Sequence, residues 1–286
     1  NHILRFRGVD VETYRSQAAP MANGSYTLVE NSEEIRFEYS RPEVTLEKLK
    51  ETNTLFYFKQ VVTQPARLAG TALLVKETMD QEALPRQAWT YNTGQRRVRK
   101  APNVAFDTPG TVSDGLRTTD DFDMFNGSPM RYNWELVGKK EIYIPYNDYR
   151  LHSDKLKYDQ ILKPGHINPE FVRYEKHRVW EVKATLKEGM RHTYKTRVFY
   201  IDEDSWQVAV TDIYDNRDEL YRVGVAHLIN YYEVPTLWST LEVFHDLQSR
   251  RYLAMGLDNE GRMYNFDASL SEANFTPDAL RRAGIR

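Results

Sequence analysis

Seven histidines, at positions 2, 152, 166, 177, 192, 227 and 245, are the residues best suited to bind a metal or move a proton. None forms a His-x-His or His-x-x-x-His pair, and no zinc-protease signature occurs, so a metal site would need ligands from distant segments. Separate surface or hydrogen-bonded histidines are the simpler reading, and no metal is assigned. Serine supplies no nucleophile elbow, because Asn126-Gly127-Ser128-Pro129 has turn chemistry without Gly-x-Ser-x-Gly spacing. Glycines 70, 94, 138, 189 and 224 do not make a Gly-x-Gly-x-x-Gly loop for a dinucleotide. With no cysteine, disulfides, zinc thiolates and a thiol nucleophile are excluded. No acid, base and nucleophile stand together, so no catalytic residue and no cofactor are assigned.

Two charged clusters remain. Asp114, Asp120, Asp121 and Asp123 offer hard oxygen ligands of the kind calcium takes, but their spacing is not an EF-hand loop. Helix capping and loop solvation are the plainer role. Arg96, Arg97, Arg99 and Lys100 could contact nucleic acid. They sit on one hairpin of a chain whose net charge is -2, so an exposed strand blunted by cations, or a docking surface, fits better. Nucleic acid is therefore not expected as a partner.

The elements that would position a site are mostly strands. Aromatics make up 13% of the 286 residues, an enrichment that suits sheets. The stretch Arg86 to Pro102 reads as two strands joined at Asn92-Thr93-Gly94, with Trp89 and Tyr91 on one face of the first. Ile35, Phe37 and Tyr39 alternate with Glu34, Arg36 and Glu38 as a half-buried strand. Leu55 to Val62 is a continuous apolar run, the pattern of a strand covered on both faces. Residues 45–51 predict a short helix, and residues 103–130 a long loop with a helix near 114–125 carrying Phe122, Met124 and Phe125. Strands resume at Tyr132–Val137, turn at Gly138 and continue through Glu141–Tyr146. From Phe171 to Leu257 strands and short turns alternate, which implies an antiparallel meander. Thr276-Pro277-Asp278 caps a terminal helix of about two turns.

No linker, fixed repeat or apolar run of membrane-spanning length appears. One β-rich domain over residues 1–286, of about eleven strands, is the expected organisation. The chain opens at Asn1 and reads as a processed or truncated product. The aromatics admit two readings: core packing, or an apolar cavity on the inner face of a curved sheet.

Several long segments in order resemble domain-of-unknown-function family 1329. They are Gln87-Ala-Trp-Thr-Tyr-Asn-Thr-Gly-Gln-Arg-Arg-Val-Arg-Lys-Ala-Pro102, Tyr132-Asn-Trp-Glu-Leu-Val-Gly-Lys-Lys-Glu-Ile-Tyr-Ile-Pro-Tyr-Asn147, Arg197-Val-Phe-Tyr-Ile-Asp-Glu-Asp-Ser-Trp206 and Phe275-Thr-Pro-Asp-Ala-Leu-Arg-Arg-Ala-Gly284. The family comprises exported Gram-negative proteins related to outer-membrane lipoprotein-sorting (LolA-like) factors, whose members carry a further N-terminal region. The resemblance implies a mainly β fold, a curved antiparallel half-barrel with short helices on its concave side. It implies a non-enzymatic periplasmic carrier or chaperone for a lipid or acyl chain, associated with the outer membrane or a resistance-nodulation-division exporter. A scaffold or sensor that binds an exporter subunit or envelope protein is the rival reading. The expected ligand wall is Trp89, Tyr91, Tyr132 and Trp134 on adjacent strands, lidded by Phe122, Met124 and Phe125.

Overall fold

A computed structural model describes residues 1–101, 106–262 and 264–285. The strands are β1 (Asp10–Ala18), β2 (Val29–Phe37), β3 (Thr54–Gln64), β4 (Ala72–Thr78), β5 (Gln87–Asn92) and β6 (Arg97–Lys100). They continue as β7 (Tyr132–Pro145), β8 (Tyr174–Leu186), β9 (Thr196–Asp202), β10 (Val208–Tyr214), β11 (Leu220–Tyr231), β12 (Thr236–Asp246) and β13 (Arg251–Leu257). The α-helices are short: α1 (Leu46–Thr52), α2 (Tyr158–Ile161) and α3 (Pro277–Gly284). No described helix is long and apolar enough to cross a membrane. The chain is mainly β and antiparallel, with thirteen strands among the described residues where the sequence suggests about eleven.

Some sequence expectations change. Gly138 does not turn the chain: Leu136 pairs with Val182 and Gly138 with Glu181, so Val137 is a β-bulge inside one 14-residue strand. Glycine suits the spot because its φ is +149°. β1 escapes notice because its sequence, Asp-Val-Glu-Thr-Tyr-Arg-Ser-Gln-Ala, is polar while most of it is buried. Its charges are paired rather than solvated: Arg15 Nε donates to Glu33 of β2 at 2.9 Å.

The chain divides into two compact units. One comprises Phe6–Ser16, Leu28–Val104 and Gly261–Arg286, and its strands run in the order β6-β5-β4-β3-β2-β1. The predicted hairpin is present here, with Trp89 opposite Lys100 and Tyr91 opposite Val98. α3 is present as well: Thr276 accepts from the Ala279 N–H at 3.1 Å, and Pro277 fills the first turn. Its apolar face, centred on fully buried Leu280, packs with Phe275 and Leu270 on Ala72, Leu74 and Tyr91. α1 forms close to the predicted span, with Thr45 as its N-cap, but none of its residues is buried.

The other unit comprises Asn1–Arg5, Gln17–Thr27 and Ala105–Glu260, with strands in the order β13-β12-β11-β10-β9-β8-β7. The helix expected over 114–125 is absent. A 3-10 stretch, Thr119–Met124, takes its place and breaks at Phe122 and Asp123, where φ and ψ leave the helical region. Left-handed φ at Val112, Asp114, Asp123 and Met124 keeps this segment from winding into an α-helix.

Candidate functional site

The expected four-ring wall does not assemble. β5 pairs with β4 and β6, whereas β7 pairs with β8, so Tyr132 and Trp134 are not on the strand beside Trp89 and Tyr91. The two pairs of rings belong to different units. Strand parity alone does not reveal which strands pair.

In the β7 unit, Phe125, Tyr132, Trp134 and Phe199 make one aromatic cluster. Phe125 meets Phe199 at 5.1 Å and Trp134 at 5.7 Å, and Trp134 stacks on Phe199 at 5.9 Å. Met124 and Phe125 are buried in the core, Phe122 is half-buried, and Trp134 stays 41% exposed. Met124 and Phe125 thus anchor their loop to packed core.

Beneath these rings lies a polar network in which three of the four sequence-singled aspartates take part. Arg197 of β9 is completely buried, and its Nη2 donates to Asp120 Oδ1 and Oδ2 at 2.9 and 2.8 Å. The guanidinium also stands 4.7 Å over the Tyr194 ring. His192 Nε2 is 3.2 Å from Asp120, and the Thr118 hydroxyl donates to it at 2.6 Å. Burial alone would raise the Asp120 pKa, but Arg197, His192 and Thr118 outweigh it and hold the carboxyl well below its ordinary value. Asp121 completes a capping box with Thr118 and accepts from the Tyr194 hydroxyl at 2.9 Å. Asp123 pairs with Arg5 at 2.6 Å, while exposed Asp114 pairs with Arg251 at 2.9 Å. Capping is therefore only part of the role of these aspartates: three of the four are buried and ion-paired rather than solvated. The cluster fastens the loop to the strands.

Among the described residues, His177, Asp202 and Asp204 could together hold a metal, with ligand atoms within 4.8 Å of one another. Asp202 already accepts from Ser205 and lies 2.9 Å from His177 Nδ1, so its oxygens are in use.

A cleft with room for a ligand lies in the other unit. A cleft of about 770 Å³ opens where α3 and the preceding 3-10 turn, Glu272–Phe275, face β1, β2 and β3. That volume lies in the range of small-molecule sites. Its walls are mixed: small apolar side chains, notably Val61, Val62, Ala69, Ala273, Ala279 and Ala283, alternate with polar and charged ones. Alanine, where a larger residue would fill the gap, is what leaves the space. At the base, Lys59 Nζ lies 2.7 Å from Glu34 and donates to the Asn274 carbonyl at 3.3 Å. Tyr14, Ser32 and exposed Arg282 also line it. Trp89 and Tyr91 do not, because they support α3 from below. The unbroken apolar run through β3 hinted at a covered strand, but nothing in the sequence said that α3 covers it.

The fold is similar to that of several solved structures. A LolA superfamily protein of Nitrosomonas europaea is similar over 96% of this chain and 94% of its own, with TM-score 0.57 at 12% identity. A Vibrio parahaemolyticus domain named for outer membrane lipoprotein sorting aligns over 98% of this chain and 94% of its own, with TM-score 0.66 and 12% identity. A DUF1329 family protein of Desulfovibrio piger aligns over 96% and 92%, with TM-score 0.61 and 15% identity. The chain itself belongs to the family described as protein of unknown function (DUF1329), whose model matches residues 1–281. It is 54% identical over 287 residues to Uncharacterized protein PA3922 of Pseudomonas aeruginosa. That match covers the whole chain but 63% of the relative, so the chain spans less than two thirds of its length.

Proposed function

We propose that this protein is a periplasmic carrier or chaperone that binds a hydrophobic ligand, a lipid or acyl chain, without catalysing a reaction. The observation that supports it is the cleft beneath α3, where small apolar side chains leave about 770 Å³ between a helix and a strand face. Burying an acyl chain of about fourteen carbons would contribute on the order of 10 kcal/mol before entropic costs, enough to hold cargo and release it. The similarity to lipoprotein-sorting folds is consistent with that role and with delivery to an outer-membrane protein or membrane exporter. The wall expected at Trp89, Tyr91, Tyr132 and Trp134 gives way to a site whose lid is α3.

The test is native mass spectrometry of gently purified protein, followed by titration with a fluorescent fatty-acid probe. Bound apolar material and saturable probe binding are expected, and Ala283→Phe, which fills the cleft, should abolish both. Unchanged probe affinity in a folded Ala283→Phe protein would remove the cleft from consideration.

A further inference from the structure

We infer that the ligand of this cleft carries an acidic head group, a carboxylate or phosphate, on its apolar tail. The inference rests on the carrier reading and adds the polarity of the cargo. Lys59 is neutralised by Glu34 at 2.7 Å, so this pair offers no net charge to a guest. The Arg282 side chain, on the cleft wall, has neither an ion pair nor a hydrogen bond among the described residues, whereas its neighbour Arg281 reaches Asp278 at 3.6 Å. A second arginine stands close by: the Arg262 guanidinium lies 5.4 Å from the ring centre of Tyr14, which lines the cleft. No carboxylate partners Arg262 among the described residues.

The lining thus carries Lys59 and Arg282 against the single carboxylate of Glu34, with Arg262 near the ring of lining Tyr14, in a chain whose net charge is -2. The C-terminal turn of α3 opposes an anion, but only with about half a charge, screened at an exposed helix end. The full charge of the Arg282 guanidinium on the wall outweighs it, and this group can bind a planar carboxylate or a phosphate through two N–H donors, while Arg262 beside Tyr14 adds to the positive field. The hydroxyls of Tyr14 and Ser32 add neutral donors on the same wall. A purely apolar guest would leave this excess of positive charge uncompensated.

The experiment compares hexadecanoic acid, hexadecyl phosphate and hexadecanol as competitors of the bound probe. Charged hydrogen bonds of this kind predict that the two acids bind about tenfold or more tighter than the alcohol. Arg262→Gln combined with Arg282→Gln should bring the three affinities together. Whichever acid binds tighter separates a fatty-acid source from a phospholipid one. Equal affinities in the unmodified protein, or a gap that survives the double substitution, overturn the head-group inference while the carrier reading stands. Binding of none of the three overturns both.

Discussion

Gly284, the last residue of α3, lies flat against the ring of Tyr91 in β5. A Cβ on Gly284 would stand 2.2 Å from Tyr91 Cδ1 and 2.8 Å from the Gly70 carbonyl oxygen. Both obstacles are rigid, one a buried ring and the other backbone. Glycine here is a condition for seating the helix that roofs the cleft.

Gly284→Ala is therefore expected to destabilise the protein by about 1–3 kcal/mol, the usual effect of overpacking. The better helix propensity of alanine offsets up to about 1 kcal/mol of that. Amide exchange should accelerate in α3 ahead of β3 and β4, and probe affinity should fall. Unchanged exchange in α3 would show that the helix can shift without loss.

Two buried tyrosines should respond in opposite ways to removal of their hydroxyls. The Tyr132 hydroxyl has no hydrogen-bond partner among the described residues. The Tyr194 hydroxyl donates to Asp121 at 2.9 Å and accepts from Arg222 at 2.8 Å. Tyr132→Phe is expected to be neutral or to stabilise by about 1 kcal/mol, while Tyr194→Phe costs roughly 1–3 kcal/mol by orphaning charged partners. Urea unfolding of the two variants decides it, and equal losses would contradict the hydrogen-bond assignment.

Much of this was legible in the residues, and the remainder has identifiable causes. The Trp89 hairpin, the Thr276 cap and the β3 run declare themselves because turn chemistry, capping and apolar periodicity are local signals. The Arg197–Asp120 pair is invisible for the opposite reason, since its residues are 77 positions apart and each looks like a surface charge. β1 hides likewise, because Arg15 and Glu33 are buried as an ion pair that Thr13 and Gln60 also hydrogen-bond. Met124 and Phe125 were recognisable as too apolar for solvent, but sequence does not say whether such residues meet a cavity or a core. The cleft had the faintest signal of all: alanines on one face of a short C-terminal helix.

Acid should expose the Asp120 contribution. Its carboxyl is held well below the ordinary value by Arg197, His192 and Thr118 against the opposing effect of burial. A depressed folded-state pKa gives stability that is complete above the unfolded value, about 3.9, and lost as pH falls below it. Unfolding free energy should decline from about pH 4 downward, and Asp120→Asn should remove part of that slope. The variant should also cost roughly 3–5 kcal/mol at neutral pH, because fully buried Arg197 loses its charged partner. An identical acid slope in the variant would assign the effect to other carboxylates.

Alkali tests the opposite sign. Burial pushes the Tyr132 and Tyr146 hydroxyls up to about 12, and nearby Asp202 adds to the rise at Tyr146. A raised folded-state pKa contributes stability that is complete below the unfolded value of about 10 and lost as pH climbs through the folded one. Absorbance titration at the phenolate band should therefore show a fraction of the 19 tyrosines ionising only near pH 12, together with unfolding. Titration of all of them near pH 10 in a folded protein would rule out the buried assignments.

Phe125 separates a lid from an anchor. Its ring is 5% exposed and packs against Tyr132, Trp134 and Phe199, beside the buried Arg197–Asp120 pair. Removing so many contacts by Phe125→Ala should cost about 3–5 kcal/mol. The cleft lining contains no residue of this cluster, so probe affinity at a temperature where the variant is folded should be unchanged. Exposed Trp134 serves as an internal reporter, because its emission should shift to the red when its edge-on neighbour is lost. If the variant keeps its stability but loses the probe, Phe125 covers a ligand after all, and the binding site belongs with β7 rather than beneath α3.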